Sequence, residues 1–129
     1  MKAKLIVMDG ATRLIEGCIL GVCDVVAYIL KQGVDINELD VQGKSALYYT
    51  VKKKNVDMLE KLLYHNPDFT MLYGKSRANI FIIAVKMAHP PIINRLLRYC
   101  QDKKILKQKN NINDMDYHGR TALWYAIQV

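Results

Sequence analysis

The sequence predicts an all-α fold, a solenoid of about three and a half helix-turn-helix units with projecting finger loops. Three pentapeptides predict it: Gly10-Ala11-Thr12-Arg13-Leu14, Gly43-Lys44-Ser45-Ala46-Leu47 and Gly119-Arg120-Thr121-Ala122-Leu123 all read Gly-x-Ser/Thr-x-Leu. Gly10 and Gly43 stand 33 positions apart, the length of one helix-pair repeat. Apolar pairs at helical spacing follow each of them. A stack of this kind offers a long surface rather than a pocket built for chemistry, so the expected work is holding another protein.

The first unit, residues 8–38, places Leu14 at the start of an inner helix, with Gly17 and Cys18 as its small residues and Gly21 as its stop. Val25-Val26 and Ile29-Leu30 make the outer helix, and Gly33-Val34-Asp35-Ile36-Asn37 the closing turn. The second unit, 39–71, repeats each element with Leu47, Thr50-Val51, Met58-Leu59 and Leu62-Leu63, then Asn66-Pro67-Asp68. Lys54 stands where the first unit has Gly21, and a lysine in the left-handed region costs about 1 kcal/mol.

In the third unit, 72–112, Phe81, Ala84-Val85, Ile92-Ile93 and Leu96-Leu97 keep the helical frame, and Pro90-Pro91 suits the first turn of the outer helix. Gly74 lies 10 residues before Ala84 while Gly43 lies 7 before Thr50, so three residues are expected to have entered this finger. A basic insertion, 101–111, reads as a helix tail and a loop. The incomplete fourth unit, 113–129, stops after one apolar helix, which suggests truncation of a longer array. All 129 residues are expected to form a single domain.

No apolar run of about 18 residues occurs, so no spanning helix and no membrane partner are expected. Cys18, Cys23 and Cys100 lack metal-ligand or redox spacing and read as buried free thiols. His65, His89 and His118 sit in different units, without nucleophile or acid at a useful spacing. Neither catalysis, a metal nor a cofactor is expected, and His89 reads as a structural turn residue.

Geometry nominates the contact surface instead. Positions two and five after the inner-helix Leu face the groove, giving Glu16, Tyr49, Lys52, Ile83, Lys86 and Tyr125. Tyr73, Lys75, Tyr117 and His118 lie on the fingers. Aromatic area beside charge is the composition of binding hot spots. Nineteen basic residues against 12 acidic ones give a net charge of +7, clustered at Lys52-Lys53-Lys54, at Arg95 and Arg98, and along the insertion. An acidic-surfaced protein partner fits this charge, and nucleic acid is disfavoured because no recognition signature accompanies it.

These motifs together resemble the ankyrin repeat, and so an ankyrin-repeat solenoid. Within it, Ala46-Leu47-Tyr48-Tyr49 followed by Tyr73-Gly74-Lys75-Ser76 is similar to the poxvirus host-range ankyrin proteins of the vaccinia type over roughly residues 37–99. That resemblance implies a host-range and immune-evasion factor in the host cytoplasm that binds and inhibits a host innate-defence or signalling protein. Two other readings stay open on the sequence: a truncated ankyrin fragment with little independent activity, and a basic nucleic-acid-binding protein.

Overall fold

The computed structural model of this chain describes residues 10–103. Among these residues six helices run in order: α1 (Gly10–Leu20), α2 (Cys23–Lys31), α3 (Ala46–Lys52), α4 (Val56–Leu63), α5 (Ile80–Lys86) and α6 (Pro90–Lys103). Inner helices α1, α3 and α5 contact one another in sequence, and outer helices α2, α4 and α6 do the same. Each inner helix also packs on the outer helix that follows it. Two helix ladders thus share one core, in which Leu14, Leu47 and Phe81 repeat on the inner side and Val26, Leu59, Leu62 and Leu96 on the outer.

Local chemistry sets the helix starts. Ser45, Asn55 and Asn79 are N-caps whose side chains accept from the N–H groups of Tyr48, Met58 and Ile82. Val22 occupies the cap position of α2 and makes no such bond. The inner-to-outer turn needs a left-handed residue in each pair: Gly21 (φ 77°), Lys54 (φ 57°) and Ala88 (φ 52°). The expectation for Lys54 therefore holds, and Lys54→Gly should raise the unfolding free energy by about 1 kcal/mol, read by chemical denaturation. A neutral or lowered value would show that the lysine is not strained there.

Closing turns repeat as well. Asp35 accepts from the Asn37 N–H at 2.9 Å, and Asp68 accepts from the Thr70 N–H at 2.8 Å. Hydrogen bonds then cross between pairs. The Asp68 N–H donates to Asn37 Oδ1 at 2.7 Å, the Tyr99 hydroxyl donates to Asn66 Oδ1 at 2.8 Å, and Arg95 on α6 pairs with Glu60 on α4. Phe69 in the second closing turn touches both Phe81 and Tyr99 of the third pair, with ring centroids 5.6 and 5.4 Å away. The stack is stitched at every level from turn to turn, which fixes its register.

Two expectations are corrected. Gly10 is helical, so α1 begins before Leu14 rather than after a turn at Gly10. Ala11, the best helix former, carries the helical run back through Thr12 and Arg13. In the third finger, one residue has been added, not three. The second finger closes with the Asp40 N–H on the Lys44 carbonyl at 2.8 Å, and the third with a two-way pairing of Tyr73 and Ala78 at 2.9 and 3.1 Å. Gly74 is therefore not the counterpart of Gly43; Arg77 (φ 55°) takes that left-handed place. Outside the described residues lie the insertion beyond Lys103 and the fourth unit.

Candidate functional site

Between the second and third helix pairs, on the finger side, the inner helices leave a cleft of about 150 Å³. Its walls come from three sources. The second finger and the first turn of α3 bring Lys44 and Tyr48, the C-terminal turns of α3 and α5 bring Lys52 and Lys86, and the third finger brings Tyr73, Gly74 and Ser76. Ile83 forms part of the base. Lys52 and Lys86 occupy equivalent positions of successive inner helices, so the repeat itself places two ammonium groups on one side.

The floor is held firmly. Tyr73 is 2% exposed, its hydroxyl is 2.9 Å from Ser45 Oγ, and its ring lies 5.2 Å from that of Tyr48. Burial pushes the Tyr73 phenol above its usual value despite the bond to Ser45. Tyr48 also meets Tyr49 edge-on at 5.5 Å, and Lys44 Nζ stands 5.1 Å from the Tyr48 ring centroid. Because Ser45 caps α3 while bonding Tyr73, one hydroxyl ties the second inner helix to the third finger. Tyr73→Phe should cost about 1 kcal/mol in thermal or chemical denaturation, the net worth of one buried hydrogen bond. An unchanged midpoint would mean the tyrosine contributes only its ring.

Among the described residues, no aspartate or glutamate lines the cleft. The nearby Asp40 carboxylate accepts from the Tyr49 hydroxyl and from the N–H groups of Gln42 and Lys44. Burial pushes Asp40 up, but these hydrogen bonds and the Lys44 charge together outweigh it and hold the carboxyl below its ordinary value. Burial, then the bond to Asp40, pushes Tyr49 up to about 12. Asp40 and Tyr49 are thus committed to each other.

The nominated residues thus divide. Lys52, Tyr73, Ile83 and Lys86 meet in the cleft; Glu16, exposed on α1, and Lys75, exposed on the finger, do not line it. Tyr73 was expected to project from the finger and is buried instead, since counting from the Asn79 cap puts it opposite Ala78, pointing inward. Ile83, expected in the open groove, is 8% exposed and serves as floor. Tyr49 is half-buried with its hydroxyl engaged, a strut for the second finger. Tyr117, His118 and Tyr125 lie outside the described residues. Lys44 and Tyr48 were not nominated; the repeated tripeptide Gly43-Lys44-Ser45 and Gly74-Lys75-Ser76 hid the offset between the fingers, since Ser45 is a cap and Ser76 is not.

Burial pushes Cys18 up to about 11 and Cys100 up to about 12, so both thiols stay protonated at neutral pH. Among the described residues no group of three or more His, Cys, Asp or Glu could hold a metal ion, and no helix is long and apolar enough to cross a membrane.

Two helix ladders, left-handed turns at a fixed period and finger loops that wall a groove define an all-α fold of the ankyrin type, and ankyrin repeats serve as protein-protein interaction modules. In agreement, the family profile described as "Ankyrin repeats (many copies)" matches residues 14–63, from α1 through α4. The potassium channel AKT2/3 of Arabidopsis thaliana is 30% identical over 127 residues, covering 98% of this chain and 13% of the channel. The chain therefore spans about 13% of that relative's length. Neither similarity is to a poxvirus protein.

Proposed function

We propose that the chain captures an acidic segment of a partner protein in the cleft between its second and third helix pairs. The observation that carries this reading is the gathering of Lys44, Lys52 and Lys86 around an aromatic floor of Tyr48 and Tyr73. Such a cleft attracts acidic segments by its field and orders them by contact with rigid rings. The likeness of Ala46-Leu47-Tyr48-Tyr49 and Tyr73-Gly74-Lys75-Ser76 to vaccinia-type host-range proteins favours a host innate-defence or signalling protein as the partner, and inhibition of it in the cytoplasm as the outcome. The similarity to a stretch of a potassium channel fits the same class of module, since one interaction array can serve many unrelated proteins.

Affinity purification from host cells, with the bound proteins identified by mass spectrometry, tests this directly. Proteins retained by the native chain should be lost with Lys52→Glu/Lys86→Glu, while helical circular dichroism is unchanged. Retention of the same proteins by the variant would remove the cleft from the account. Capture of RNA with a steep salt dependence would replace it with nucleic-acid binding.

A further inference from the structure

The outer helices carry a second basic and aromatic face that shares no residue with the cleft above. A groove of about 350 Å³ crosses from α2 to α4, lined by Ala27, Lys31, Glu60, Lys61, Tyr64 and His65. Tyr64, immediately after α4, is 84% exposed and meets His65 edge-on at 5.4 Å. Tyr28, 66% exposed, stands one turn before Lys31 on α2. Among the described residues that line the groove the one carboxylate, that of Glu60, pairs with Arg95 of α6. Lys31 and Lys61 have no acidic partner within salt-bridge distance among the described residues. Their last-turn positions suit the helix dipole, but that accounts for neither of the two large exposed rings beside them.

We infer that this outer-helix groove is a second docking site, for a protein segment carrying a carboxylate next to an apolar or aromatic side chain. Uncompensated ammonium groups at Lys31 and Lys61 select the acid, and Tyr64 gives the apolar neighbour a broad surface at small entropic cost. With sites on both the inner-helix and outer-helix sides, the array can hold two acidic segments at once and so act as a bridge. Linking two weak contacts in this way raises overall avidity by about 10²–10⁴ when both are engaged.

The probe is an N-acetylated, C-amidated tetrapeptide of sequence Glu-Phe-Asp-Leu, titrated into the full chain and followed by amide chemical shifts. Shifts are expected at Lys31, Lys61, Tyr64 and His65. They should vanish with Lys31→Glu/Lys61→Glu and weaken about tenfold with Tyr64→Ala, while Lys52→Glu/Lys86→Glu leaves them intact. Lys31→Gln/Lys61→Gln serves the same purpose if charge reversal impairs folding. The proposal is overturned if the lysine-containing analogue Lys-Phe-Lys-Leu shifts the same amides equally, if charge reversal has no effect, or if only a short RNA perturbs this face. Loss of shifts confined to the inner-helix cleft would count against the proposed function alone.

Discussion

Cutting Leu62 back to alanine should lower the unfolding free energy by about 2–5 kcal/mol, measured by chemical denaturation with helical circular dichroism. Leu62 is 0% exposed on α4, and its counterparts Ile29 and Leu96 fill the same layer in the pairs on either side. A middle pair packs against neighbours on both flanks, so one cavity there loosens two interfaces. The effect should exceed that of any exposed substitution, with Lys53→Ala as the control, expected within about 0.5 kcal/mol. A loss at Leu62 as small as the control's would mean that the outer ladder is not packed as described.

Gly17→Ala should be the second large effect. An added Cβ would meet Val26 Cγ2 at 2.8 Å, closer than real carbon contacts come, and Val26 is fully buried and stiff about its first torsion. Alanine brings a helix-propensity gain of about 1 kcal/mol, which offsets only part of an overpacking cost of about 1–3 kcal/mol. A net loss of up to about 2 kcal/mol is expected. Thr50 and Ala84 hold the equivalent positions in the next two pairs, so the close approach belongs to the first pair. Gly17→Ala/Val26→Ala should lose less than the sum of its parts, because the second change relieves the first. Strict additivity would show that the glycine answers some other need.

The ladder was legible because its determinants are local and periodic. Leu14, Leu47 and Phe81 announce one core row, the apolar pairs of the outer helices announce another, and Pro90-Pro91 marks a helix start that the structure confirms. The third finger was misread for a physical reason. Gly74 looks like the partner of Gly43 because glycine favours left-handed backbone, yet the stack forces that conformation on Arg77, as it does on Lys54, Asn66 and Ala88. Propensity is weaker than the hydrogen bonds that close the finger, so residue identity alone could not place the turn. Once the finger is shifted, Tyr73 turns inward and becomes floor, and Lys44 joins Lys52 and Lys86 at the cleft. The Asn79 cap was the available signal: counted back from it, as from Ser45, the finger is one residue longer and no more.

The register of one pair upon the next builds both the core and the cleft, and ring-proton nuclear Overhauser contacts test it most directly. The account predicts cross-peaks from Phe69 to both Phe81 and Tyr99, and from Tyr48 to Tyr73, at the centroid separations of 5.2 to 5.6 Å found here. A folded, helical chain in which Phe69 sees neither ring, or Tyr48 does not see Tyr73, would contradict it.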